Sequence, residues 1–165
     1  MKPILLLDVD GVLNVFGNRP PGQALEYEFW FELWPIRIPL GTTARLARLA
    51  EHYDIVWCTA WEDNAPRVLS KYLGAYLADC PYISWYAGSG PTWKLNDVRV
   101  WLEEHGDGRD VAWVDDDLYE DAQYWALGRP DLCLVKTDPA RGLTEDVVRV
   151  LVSYALSRER EEAAA

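Results

Sequence analysis

Cysteine is scarce here: Cys58, Cys80 and Cys133 are the whole complement of a 165-residue chain. The number is odd and no two stand at metal-ligand spacing, which argues against a disulfide framework and against a thiolate metal site. Three buried free thiols in a reducing compartment are expected. Basic charge is also short, with 16 Lys and Arg against 27 Asp and Glu and a net charge of −11. Such a chain is a poor non-specific binder of nucleic acid, because the phosphate backbone requires a basic surface. A local basic patch could still serve, so the charge weighs against a nucleic-acid substrate without ruling it out. No apolar run is long enough to span a membrane. Ile4 to Leu7 is too short for the apolar core of a secretion signal. A soluble cytoplasmic protein with no membrane partner is therefore expected. Internal repeats and long linkers are absent too, and 165 residues suit one domain with a sizeable core.

What is abundant is apolar and aromatic. Half the residues are hydrophobic, and nine are Trp and nine Tyr. Core and sheet packing is the first use of so many rings, and an aromatic ligand surface the second. The chain is organised around Ile4-Leu5-Leu6-Leu7-Asp8-Val9-Asp10-Gly11-Val12-Leu13-Asn14. Four apolar residues running into a turn signal read as a fully buried strand of a parallel sheet. Such a strand delivers its last residues to the carboxyl edge, where open α/β folds bind ligands. Asp8 and Asp10 are two apart, so in an extended segment they share a face. Side by side they repel, unless a cation lies between them or one keeps its proton. Gly11 allows a sharp turn. The pattern fits a divalent-metal site with a carboxylate nucleophile.

Further strands are expected at 54–61, 80–85, 110–114 and 131–136. Helices are expected from Thr42 or Thr43 to about Tyr53, from Asn64 to Leu73, from a Thr92 cap to about His105, over 118–127, and from a Thr144 cap onward. Lys94 falls in the first turn of its helix, where positive charge opposes the helix dipole. Alternating strands and helices argue for a three-layer α/β fold with a mostly parallel, five-stranded sheet. Residues 15–40 open on a turn cluster, Gly17 to Gly22, and become aromatic, reading as a β-hairpin flap. It carries Arg19, Tyr27, Trp30, Trp34 and Arg37. Trp30 and Trp34, with Trp61 beyond the second strand, are candidate substrate contacts, and packing on the domain is an equal alternative. The domain is placed at 1–156, with a charged tail at 157–165 that frays.

Three strands thus end in polar residues. Asp8 and Asp10 follow the first, Thr59 the second, and Asp115-Asp116-Asp117 a later one. Lys94 stands after a Gly/Pro loop and before that later strand. In this order the motifs resemble those of the haloacid dehalogenase (HAD) superfamily, most of whose members are Mg²⁺-dependent phosphatases. The resemblance implies the Rossmann-like version of the fold, with the first strand central. It implies Asp8 as nucleophile, Asp10 as general acid and base, Thr59 as a phosphoryl hydrogen-bond donor and Lys94 as the balancing charge. It also implies a Mg²⁺ site built from the Asp8 side chain, the Asp10 carbonyl and Asp116, with Asp115 the close alternative. Asp117 reads better as a helix cap.

The combination Asp8-Val9-Asp10-Gly11-Val12-Leu13-Asn14, Thr59-Ala60-Trp61-Glu62, Trp93-Lys94, Trp113-Val114-Asp115-Asp116 and Asp138-Pro139-Ala140-Arg141-Gly142-Leu143-Thr144 is similar to the compact HAD domain of predicted Swiss Army Knife RNA-repair proteins. Residues 15–58 and 60–93, where this superfamily inserts caps, leave no room for a full one. The implied activity is phosphomonoester hydrolysis through an aspartyl phosphate, on a small molecule, a nucleotide or a nucleic-acid end. Trp61, Trp93 and the flap aromatics could stack on a base. Another HAD phosphotransferase and a metal-binding module with little turnover are the alternatives. A dehalogenase is disfavoured, because that chemistry does not use the acid and base that Asp10 supplies. Oligomeric state is not legible.

Overall fold

A computed structural model describes residues 1–164, apart from the side chains of Glu162 and Ala164; Ala165, the end of the expected tail, lies outside the described residues. Six strands form: β1 (Ile4–Leu7), β2 (Leu25–Phe31), β3 (Trp34–Pro39), β4 (Asp54–Trp57), β5 (Val111–Asp115) and β6 (Leu132–Lys136). The main helices are α1 (Thr42–His52), α2 (Ser70–Leu73), α3 (Leu95–His105), α4 (Glu120–Ala126) and α5 (Glu145–Ala164). A π-helical turn at Ala65–Leu69 leads into α2, and a 3₁₀ turn at Ala75–Asp79 follows it.

The main sheet is parallel, in the order β4-β1-β5-β6. Because β1 is an unbroken apolar run, it can be buried on both faces. Leu5 and Leu7 join a core with α1, α2, α5 and the hairpin. Ile4 and Leu6 point the other way, into a second core with α3 and α4. The period-two alternation of one strand therefore builds both outer interfaces of a three-layer domain.

The fifth strand expected at 80–85 is reduced to one bridge, Trp57 to Tyr82. The Trp57 N–H donates to Pro81 O at 2.8 Å, and Ile83 N–H to Trp57 O at 2.9 Å. Pro81 has no N–H to extend the ladder. Beyond Ile83, Trp85 turns to bond residues 59 and 62 instead. The main sheet therefore has four strands among the described residues.

The hairpin is a separate antiparallel pair, β2 with β3. Its inward row stacks Phe29 on Tyr72 and Phe31 on Trp61. Its outward row pairs Glu28 with Arg37 at 3.0 Å. Residues 60–93 hold only the short helical segments and a loop, with no strand ladder of their own. Thr144 caps α5 as expected, its Oγ1 accepting from Val147 N–H at 3.4 Å. Thr92 does not cap α3; its hydroxyl donates to Asp121 at 2.6 Å and accepts from Tyr119 N–H at 2.9 Å. Helix α5 continues through Ala164, and Arg158, within the expected tail, pairs with Asp110 at 3.0 Å.

Candidate active site

Register decides what meets at the carboxyl edge. Leu7 lies opposite Trp57 on one side and Val114 on the other. The next residues, Asp8, Cys58 and Asp115, therefore share one row, at the central strand from which helices leave to opposite faces. In open α/β sheets this is where a ligand crevice forms.

Lys94 enters the row from the residue just before α3. Its Nζ lies 2.9 Å from Asp8 Oδ2 and 2.7 Å from Asp115 Oδ2. All three side chains are buried. Burial opposes the lysine charge, but Asp8 and then Asp115 overcome it and hold the proton more firmly than in an ordinary lysine. The expected dipole cost of a lysine here is thus met by two carboxylates. Burial drives the Asp8 carboxyl well above its ordinary range; Lys94 opposes that rise and Asp115 adds to it. Asp115 also accepts from the Trp113 indole N–H at 3.1 Å and from Asp117 N–H at 2.9 Å.

Asp116 differs. No side-chain donor is hydrogen-bonded to its carboxylate among the described residues, and burial, with Asp117 and Asp115 nearby, pushes it up to about 6. Asp8, Asp115 and Asp116 each offer an oxygen within 4.8 Å of the others. Mg²⁺ at bonds of about 2.1 Å takes oxygen ligands up to about 4.2 Å apart in an octahedron. Three carboxylates against one ammonium leave the cluster net negative, and only Asp116 lacks a side-chain partner among the described residues. The donor set fits a divalent cation, with Asp116 the freer ligand and Asp115 occupied by Lys94. Gly11 makes the approach possible: at φ +79 it sits against Asp116, and an added Cβ would collide with that carboxyl group.

The Asp10 side chain does not join this cluster. Extended geometry would have put it beside Asp8, but the chain turns immediately after β1, with Leu13 and Asn14 N–H both donating to Val9 O. Asp10 instead accepts from Asn14 Nδ2 at 2.7 Å and from the Trp61 indole N–H at 2.8 Å. It faces a cleft of about 630 Å³ beneath the hairpin, together with Asn14, Phe31, Trp34, Arg37 and Trp61. Of the sequence candidates for substrate contact, Trp34 and Trp61 line this cleft. Trp30 does not; it pairs with Pro35 on the outward row and is exposed. Trp93, the other proposed stacking ring, packs edge-on against Trp85.

Thr59 is buried two residues beyond β4. Its Oγ1 accepts from Trp61 N–H at 3.3 Å, and its own hydroxyl proton has no partner among the described residues. Asn14 carries more than the sequence suggested. Its Oδ1 accepts from Arg37 N–H at 2.8 Å, while Val15 N–H donates to Arg37 O at 2.9 Å. The side-chain amide thus imitates a strand backbone and docks β3 onto the first motif. Its position inside that motif was the only signal. Thr92, read in the sequence only as a helix cap, and Asp121, which gave no signal, fix the loop before Lys94.

No significant match to a curated protein is found. Residues 4–148 match the family model described as the HAD domain in Swiss Army Knife RNA repair proteins. That span holds every buried carboxylate of the site together with Lys94 and the hairpin, and the chain belongs to this family of the HAD superfamily.

Proposed function

We propose that the chain is a Mg²⁺-dependent phosphomonoesterase that works through an aspartyl phosphate on Asp8, with nucleotides or polynucleotide ends as candidate substrates. The observation that carries this reading is the buried ion cluster in which Lys94 bridges Asp8 and Asp115 while Asp116 has no side-chain donor among the described residues. HAD domains are hydrolases and phosphotransferases, so the family supports the class of reaction. The Asp8 carboxylate attacks phosphorus and the bond to the leaving oxygen breaks, with Asp10 giving that oxygen a proton. Water, losing its proton to Asp10, then attacks the same phosphorus and frees Asp8 and inorganic phosphate. One group serves both halves because it is restored between them. Lys94 is a fixed positive charge beside the nucleophile, and preorganised charge at a transferring phosphoryl group is a large catalytic term. The Thr59 hydroxyl has a proton to donate to a phosphoryl oxygen. The Asp8 and Asp116 side chains and the Asp10 carbonyl would hold Mg²⁺, which when bound neutralises phosphoryl charge.

The test is phosphate release with Mg²⁺ from p-nitrophenyl phosphate, 3′- and 5′-mononucleotides, sugar phosphates and end-phosphorylated oligomers. Asp8→Asn and EDTA should each reduce it by at least about a thousandfold. Release that survives Asp8→Asn overturns the nucleophile. Transfer to an added alcohol in preference to water would make the chain a phosphotransferase. Mg²⁺ binding with no turnover on any substrate would make it a binding module.

A further inference from the structure

The cleft beneath the hairpin is unevenly furnished. Phe31 and Trp61 stack with ring centres 4.6 Å apart and planes 20° from parallel, forming one aromatic wall. Trp34 is 71% exposed, makes no ring contact, and its indole N–H has no partner among the described residues. Two polar side chains at the rim are uncommitted in complementary ways. The Glu32 carboxylate accepts no hydrogen bond among the described residues. Asn64 receives Arg67 on Oδ1, but its Nδ2 has no acceptor among the described residues. The one cation lining the cleft among the described residues, Arg37, is tied to Glu28. Asp10 lines the same cleft, and the leaving oxygen must lie beside it if the proposed reaction holds.

We propose, on that reading, that this cleft is the leaving-group subsite and takes a single nucleoside, its base against the aromatic side chains and its edge toward Glu32 and Asn64. A base has two apolar faces and an edge carrying both donors and acceptors, which matches ring surfaces beside one free acceptor and one free donor. A sugar offers no flat π face, and a phenol no amino edge. Glu32 favours bases with an exocyclic amine, as carboxylates do toward cytosine N4, so cytosine, adenine and guanine outrank uracil. Further phosphates gain nothing here, because two carboxylates and a committed arginine cannot hold them. The subsite therefore reads one terminal nucleoside, whether free or at the end of a chain.

The test follows the Trp34 and Trp61 indole N–H signals by NMR, the latter alone in Trp34 variants, while cytidine, uridine or ribose is titrated into the full chain. Cytidine should bind, uridine about tenfold more weakly, and ribose not at all. Trp34→Ala should weaken cytidine about tenfold, in line with the loss of one stacking partner, and Trp34→Phe should restore most of it. Glu32→Gln should level cytidine with uridine. Nucleoside binding requires no turnover, so absent phosphate release with cytidine binding intact sinks the proposed reaction and still supports the subsite. Absence of any cytidine response overturns the subsite even if the enzyme is active. A second arm compares KM for a mononucleotide and for oligomers ending in the same nucleotide, at about 50 and 200 mM salt. Equal values support one-nucleoside recognition. A many-fold lower, strongly salt-dependent KM for oligomers overturns it in favour of an extended polynucleotide surface.

Discussion

Asp116 has the clearest pH signature of any single residue in the site. Its folded-state value near 6, against an ordinary 3.8, means the folded chain keeps a proton that the unfolded chain has lost between those values. Stability from this group is therefore full below about pH 4 and is lost as pH rises through about 6. In EDTA, Asp116→Asn should gain on the wild type between pH 4 and 7 in urea unfolding. With saturating Mg²⁺ the sign should reverse, since only the wild type keeps the full ligand set. A difference that stays the same in both conditions would remove Asp116 from the metal site. Gly11 gives a second prediction at this scale. Gly11→Ala strains a left-handed backbone and drives a methyl group into the Asp116 carboxyl. Mg²⁺ affinity, measured by calorimetry, should fall at least about tenfold, with about 1 kcal/mol or more lost in stability. Asp8 and Asp10 stood out in the sequence because Thr59, Lys94 and the acidic run follow them in motif order; DxDG alone is equally a strand and an acidic turn. The partition between them was not legible: it depends on the turn after β1, which sends Asp10 toward Asn14 and Trp61.

Among the elements, the hairpin is the one whose attachment shapes the cleft at Asp10. Its β3 edge is fixed to the first motif through Asn14 and Val15, and its inward aromatics are fixed to Tyr72 and Trp61. Asn14→Ala leaves the Arg37 N–H without its acceptor and frees one side of Asp10. It should cost about 1–3 kcal/mol and speed amide exchange at Arg37 and Val15 more than in the main sheet. Unchanged exchange there would show that the aromatic contacts alone hold the hairpin. The existence of this element was legible from its turn cluster and alternating aromatics, and its two rows follow from strand periodicity. Which row faced the site was not legible. Trp30 and Trp34 look equivalent in sequence, and only the pairing of Phe31 with Trp34 and of Trp30 with Pro35 separates them. Segment 80–85 shows the opposite case: a residue pattern adequate for a strand yields one bridge, because Pro81 cannot donate and Trp85 finds better partners near Thr59.

Taken whole, the molecule is strongly acidic, and like charges on a compact body repel. Raising NaCl from about 0.05 to 0.5 M shortens the screening length from roughly 14 to 4 Å. Tm should rise by a few degrees in EDTA, and less once Mg²⁺ has neutralised part of the carboxylate cluster. A falling Tm would show that surface ion pairs such as Arg109–Asp54 and Arg129–Asp131 outweigh the net repulsion.

The sequence by itself determined the layered α/β class, the burial of the first strand, the presence of a hairpin, and the polar residues that follow the strands: Asp8, Thr59 and the acidic run after β5, with Lys94 ahead of that run. Those follow from local rules: apolar runs, turn residues, caps, and motif order along one chain. The tertiary structure decided which groups touch. Strand register set Asp8 beside Asp115, burial drew Lys94 between them, and the hairpin's docking gave Asp10 a cleft of its own. Contacts between residues 8, 94 and 115 depend on how three separate elements pack. No local pattern encodes a distance across a sheet edge.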